Sequence, residues 1–71
     1  MNYVSVSSSN LAAVAYDPST STLGIKFLNG SEYHYYGVPA GVHQSLMAAG
    51  SKGTYFDQSI KKANYQYRRI S

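Results

Sequence analysis

The chain contains no cysteine and no tryptophan, and only two prolines, two histidines and three carboxylates. Each shortage removes a class of explanation. Without cysteine there are no disulfides and no thiolate metal sites. His34 and His43 stand apart, and with Asp17, Glu32 and Asp57 they are too few for a closed metal site. Acid-base catalysis wants a carboxylate pair, or a histidine with an orienting carboxylate. Asp17 falls in an expected turn, Glu32 is expected to pair with Lys26, Asp57 to cap a helix, and no third group is evident for His34. The expectation is therefore a protein that is not an enzyme and carries no cofactor or metal. Long apolar runs are also missing. The longest, Leu11 to Tyr16, is half alanine and far too short to span a bilayer, and the N-terminus lacks the basic start of a targeting segment. A cytoplasmic location with no membrane partner follows as the default expectation.

What is present is tyrosine and a basic end. Seventy-one residues make one domain, residues 1–71. A domain of this size buries only about 60% of the surface its unfolded chain exposes. With staples excluded, self-association is the remaining support, and eight tyrosines suit it, because tyrosine covers area at low entropic cost. A homo-oligomer is expected. The net charge of +3 is unevenly placed: Lys52, Lys61, Lys62, Arg68 and Arg69 follow Gly50 against the single acid Asp57. Such an end is either a solvated face or an anion site.

The first half has strand periodicity. Leu11 to Tyr16 is closed by Asp17-Pro18, a turn opener, and Thr22 to Leu28 alternates with Leu23, Ile25 and Phe27 on one side. Asn29-Gly30 supplies the left-handed backbone of a tight hairpin, and Ser31 to Val38 returns. A two-residue loop would set Phe27 against Glu32 and Ile25 against His34. A three-residue, bulged loop sets Phe27 against Ser31, Ile25 against Tyr33, Leu23 against Tyr35 and Lys26 against Glu32. Only the second keeps one face apolar, and burial specifies register strongly. It sends Tyr33 and Tyr35 to the core and Lys26, His34 and Tyr36 to the open face. The second half is helical in pattern. Pro39 suits a helix start, Val42, Leu46 and Ala49 share a face, and Gly50 is a natural stop. His43, one turn before Met47, reads as a structural residue. A second helix is expected after Thr54, with Thr54 and Asp57 as an acidic variant of a capping box and Phe56, Ile60 and Ala63 as its apolar face. Tyr65 to Ile70 fits an edge strand or a continuing helix equally. The fold class is α+β, a three- to four-stranded antiparallel meander followed by one or two short helices.

The succession Ser8-Ser9, Ala15-Tyr16-Asp17, Leu23 to Phe27, Asn29-Gly30, Tyr33-x-Tyr35, Val38-Pro39, Ser51-x-Gly53-x-Tyr55-Phe56 and Ile60-Lys61 resembles the KTSC domain from about Val6 to Ile70. That family is named for its occurrence at the C-terminus of some lysyl-tRNA synthetases and also exists as free-standing small proteins. The resemblance implies no established catalysis, and suggests RNA only by association with a tRNA enzyme. A start at Met1 without a synthetase leads us to expect the free-standing form.

Several residues could bind a ligand, and each also has a structural reading. Ser51-Lys52-Gly53-Thr54 runs into a helix start, where free N–H groups and the dipole favour an anion. It lacks the spacing of a Walker loop, and ordinary capping needs the same residue types. Tyr36, His34 and Lys26 could stack on and bond to a base, or form a wet sheet face. Arg68 and Arg69, beside Tyr65 and Tyr67, suit phosphates and planar bases, or simply protect an edge. Ser8 and Ser9 could touch a ligand or organise their loop. RNA affinity comes from neutralising many phosphates, for which this charge is modest. A small phosphate-bearing nucleotide, a mono- or cyclic dinucleotide, needs only one or two phosphate clamps and a few rings to hold the bases. The expected function is non-catalytic sequestration of such a signal, a task that suits a phage disarming host immunity. An RNA-binding module and a pure protein-interaction module are the alternatives.

Overall fold

The bulged register is the one adopted. In a computed structural model describing residues 1–71, five antiparallel strands form one sheet in chain order. They are β1 (Val4–Ser5), β2 (Leu11–Asp17), β3 (Thr22–Phe27), β4 (Glu32–Tyr35) and β5 (Tyr67–Arg69). Helices α1 (Ala40–Ala48) and α2 (Lys52–Ser59) and a 3-10 turn (Lys61–Ala63) lie between β4 and β5. The fold is α+β, a strand-rich meander followed by short helices. In the β3–β4 hairpin Ile25 pairs with Tyr33, Leu23 with Tyr35 and Lys26 with Glu32. The Phe27 N–H donates to the Ser31 carbonyl at 2.9 Å. Leu28, Asn29 and Gly30 form the loop, and Gly30 takes φ +93°, the left-handed region that favours glycine. Asn29 Oδ1 accepts from the Ser31 N–H at 3.0 Å and its hydroxyl at 2.7 Å, which pins the turn.

The two ends of the meander differ, since β1 pairs with the strand that follows it and β5 returns from far along the chain. β1 is only two residues long and adds to the β2 edge. Tyr65 to Ile70 resolves as strand, because Asn64 takes a left-handed φ of 62° after the 3-10 turn and ends helical propagation. The chain then returns along β4, where the Tyr36 N–H donates to the Gln66 carbonyl at 2.8 Å.

The core is a nine-residue cluster of Leu11, Val14, Leu23, Ile25, Tyr35, Val38, Leu46, Phe56 and Ile60. α1 contributes Leu46 and α2 contributes Phe56, with Ile60 just past its end. Three expectations for the helices are corrected. α2 starts at Lys52 rather than after Thr54: its N-cap is Ser51, whose carbonyl accepts from Tyr55 N–H at 3.1 Å. Ser51 is as good a cap residue as Thr54, and Phe56 and Ile60 face inward from either start. Thr54 lies in the first turn, its hydroxyl accepting from Ser51 Oγ at 2.9 Å. Asp57 caps nothing and instead meets Lys62 at 3.3 Å. Ala63 is exposed in the 3-10 turn, so the apolar face ends at Ile60. α1 ends in extended Ala49, before Gly50.

Candidate functional site

On the helix side of β4 and β5 the period-two pleat gathers aromatic rings into an open cleft. Register sets Tyr67 of β5 opposite Tyr35 of β4, and Arg69 opposite Tyr33. Phe27 enters from β3 and Phe56 from α2. Tyr33 stacks on Tyr35 with centroids 6.3 Å apart, while Tyr67 lies 5.9 Å from Tyr33 and 5.6 Å from Tyr35. Phe56 meets Phe27 and Tyr35 edge-on, each at 5.5 Å. These rings bound a cleft of about 450 Å³, with Asn10, Asn29, Ser31, Asp57 and Lys61 as its polar members. The floor is buried and the wall is free: Tyr35 is 6% exposed and Tyr67 63%. Burial, with smaller contributions from Tyr33 and Tyr67, pushes the Tyr35 hydroxyl up to about 12, so at neutral pH it remains a donor. Arg69 extends along the rim, its guanidinium carbon 5.9 Å from the Tyr33 ring centre and its Nε donating to the Ser71 carbonyl at 3.2 Å. A cleft this size, aromatic with a few polar groups, is suited to a planar ligand.

The residues that sequence reasoning proposed as a site divide into three groups. Those of the α2 start are engaged within the chain, although Ser51 and Thr54 remain exposed. Lys52 Nζ donates to the Ala49 carbonyl at 3.2 Å, serving the end of α1. Gly53 permits a close approach, but the approach is made by the Asn10 side-chain amide, which occupies the space a Cβ would take. Ser8 organises the same loop: its Oγ accepts from the N–H groups of Asn10 and Leu11, each at 3.3 Å. Ser9 is exposed beside it.

The second group lies on the outer face of the sheet, and there Tyr3 supplies what the sequence did not reveal. Lys26 and Glu32 are opposite one another as expected, yet they do not pair directly, because the Tyr3 ring lies between them. Lys26 Nζ sits 4.4 Å from the Tyr3 ring centre, and the Tyr3 hydroxyl donates to Glu32 Oε2 at 2.6 Å. His34 does acquire a carboxylate neighbour, Nε2 lying 3.5 Å from Glu32 Oε2 and 3.4 Å from Tyr3 Oη. The Tyr3 hydrogen bond, aided by Lys26 and His34, holds the Glu32 carboxyl below the usual glutamate range. Burial and Glu32 push the Tyr3 hydroxyl well above the usual tyrosine range. The one sequence signal for this contact is Gly24 inside β3: a Cβ there would run into the Tyr3 hydroxyl.

The third group is brought together at the β4–β5 edge. Tyr36 and Arg68 line a shallow depression with Tyr65, Tyr67 and Lys61, and Arg68 is the cross-strand neighbour of His34. His43 is structural, stacked on Tyr16 at 4.8 Å and 10°. No group of three or more His, Asp or Glu side chains is close enough to hold a metal ion. No helix is long and apolar enough to cross a membrane. The cleft residues Phe27, Phe56, Lys61 and Tyr67 were missed as a set, because β3, α2, the 3-10 turn and β5 bring them together from distant positions.

The family comparison covers residues 7–69, matched by the KTSC domain. The chain belongs to the KTSC domain family. A crystal structure of a KTSC domain protein from Yersinia pestis superposes with a TM-score of 0.90 at 41% identity, covering 99% of this chain and 97% of that one. An uncharacterized protein of Stutzerimonas stutzeri is 40% identical over 99% of both chains. A lysine–tRNA ligase of a Nostoc species is 41% identical over 86% of this KTSC domain, which corresponds to 11% of the ligase.

Proposed function

We propose that this KTSC domain is a non-catalytic binding protein that holds a small, phosphate-bearing nucleotide, its base in the tyrosine cleft. The observation that carries this reading is the juxtaposition of the ring-lined cleft with Lys61 and Arg69 at its rim. Stacking of a base on an aromatic ring contributes about 1–3 kcal/mol and discriminates little among bases. Phosphate contacts fall to Lys61, Arg68 and Arg69 rather than to Lys52, whose ammonium already serves α1. Asp57 also lines the cleft, but Lys62 at 3.3 Å offsets its charge. The protein acts by sequestering its ligand as a homo-oligomer, and a cyclic nucleotide signal of the kind a phage would remove from its host is a fitting cargo. Self-association is supported by the small core and by the exposed β5 edge, where Ile70 is uncovered.

Calorimetry of the full chain against mono-, linear di- and cyclic dinucleotides tests the reading. At least one should bind saturably and be recovered unchanged after denaturation. Tyr67→Ala should weaken it about tenfold or more with little change in unfolding midpoint. Absence of heat with every nucleotide, or recovery of a hydrolysed one, defeats the proposal. RNA binding is the second reading, favoured by the lysine–tRNA ligases that contain similar segments. It predicts a steep loss of affinity with salt and a need for several nucleotides.

A further inference from the structure

The tyrosine cleft has a neighbour. A more open depression of about 650 Å³ lies around Tyr36, Tyr65 and Arg68, and it shares two lining residues, Lys61 and Tyr67, with the cleft. Tyr67 and Lys61 therefore border both hollows. Each hollow has its own aromatic surface: Tyr33, Tyr35 and Phe56 in the first, Tyr36 and Tyr65 in the second.

Two cations without an internal partner, Lys61 and Arg68, border these hollows, whereas Arg69 bonds Ser71 and lies over Tyr33. Lys26 rests on Tyr3, Lys52 donates to Ala49, and Lys62 faces Asp57. Lys61 is exposed and anchored at its backbone by the fully buried Ile60 that precedes it. It has no carboxylate within ion-pair distance, and neither has Arg68 or Arg69. A mononucleotide would use one hollow and leave Tyr36 and Arg68 idle. A long RNA would need phosphate contacts well beyond this edge, where the remaining cations are engaged. Two aromatic hollows that share an exposed lysine, Lys61, match a ligand with two planar groups joined through phosphate.

We infer that the ligand is a dinucleotide, one base in the tyrosine cleft, the other against Tyr36, and the bridging phosphate at Lys61. This rests on the nucleotide-binding reading above and narrows it. Arg68, beside the second hollow, takes a second phosphate where the dinucleotide has one, as a cyclic dinucleotide does. Guanidinium suits that role because it binds phosphate oxygens in a bidentate fashion.

The experiment compares, by calorimetry on the full chain, a mononucleotide with linear and cyclic dinucleotides carrying the same base, for the native protein and for Tyr36→Ala and Lys61→Ala. Both side chains are exposed, and thermal unfolding checks that each variant remains folded. A dinucleotide should bind at least about tenfold tighter than the mononucleotide, as one further stacked base requires. Tyr36→Ala should erase that excess while leaving mononucleotide affinity unaltered, and Lys61→Ala should weaken the dinucleotide about tenfold or more. Equal affinities for one and two bases, or an equal loss of both in Tyr36→Ala, overturn the inference and leave the nucleotide-binding reading standing. Absence of binding by every nucleotide defeats both. Much tighter binding of an octanucleotide with a steep salt dependence overturns the dinucleotide in favour of RNA.

Discussion

On the outer face of the sheet Lys26, Glu32 and His34 each have a partner within the chain, and Tyr3 is common to all three. On the helix-side face at β4 and β5, Tyr33, Tyr35 and Tyr67 mainly contact other rings and leave a cleft. The outer face holds the residue types that usually attract functional attention, a histidine beside a carboxylate and a lysine. The inner one holds residues that read as ordinary core. The difference is one of satisfaction. Polar groups that bond one another within the fold are committed to holding it together, whereas the rings of the cleft leave it open, with Tyr67 uncovered.

The largest expected effect probes whether the cleft can be separated from the core. Phe56 belongs to both, so Phe56→Ala should destabilise the domain by about 3–5 kcal/mol, read from urea unfolding, and abolish ligand binding. A small loss of stability would show that Phe56 is a cleft residue only. Next comes the outer face. A Cβ at Gly24 would evict Tyr3, so Gly24→Ala should cost about 1–3 kcal/mol in the native chain and close to nothing in a Tyr3→Ala background. Equal costs in both backgrounds would mean that Tyr3 does not cover this face in solution. Lys52→Ala removes one hydrogen bond to the end of α1, and should cost about 0.5–1.5 kcal/mol without changing nucleotide affinity. Lost affinity in that variant would return the site to the start of α2. The smallest effect concerns acid. The folded-state Glu32 pKa is lowered from the ordinary 4.5, so its contribution is complete above that value and is lost as pH falls through the lower, folded one. Glu32→Gln should therefore flatten the acid limb of a stability-versus-pH curve, and an unchanged limb would mean that the Tyr3–Glu32 bond is not formed in solution.

The hairpin and the burial of Tyr35 were legible because both depend on near neighbours. Asn29-Gly30 sets the loop, and one apolar face between Leu23 and Tyr35 admits only one register. The family, too, was legible, as order and spacing along nearly the whole chain. The start of α2 was not, because Ser51 and Thr54 are equally good caps and the choice falls to tertiary packing. Asn10 packs against Gly53 and Phe56 enters the core from a helix begun at Lys52.

By itself, then, the sequence determined the central meander, the register of its hairpin, the inward side of Phe27, Tyr33 and Tyr35, and the family. These follow from periods of two residues and of three to four, read against burial over a few neighbouring positions. Only the tertiary structure decided that Tyr3 crosses 29 positions to Glu32 and disarms the outer face. The same holds for β5, which lies against β4 and brings Tyr67 to the cleft, and for the 3-10 turn that brings Lys61. Such contacts leave no periodic trace in the chain, because what selects them is the shape and unsatisfied bonding of a surface that exists only once the sheet has formed.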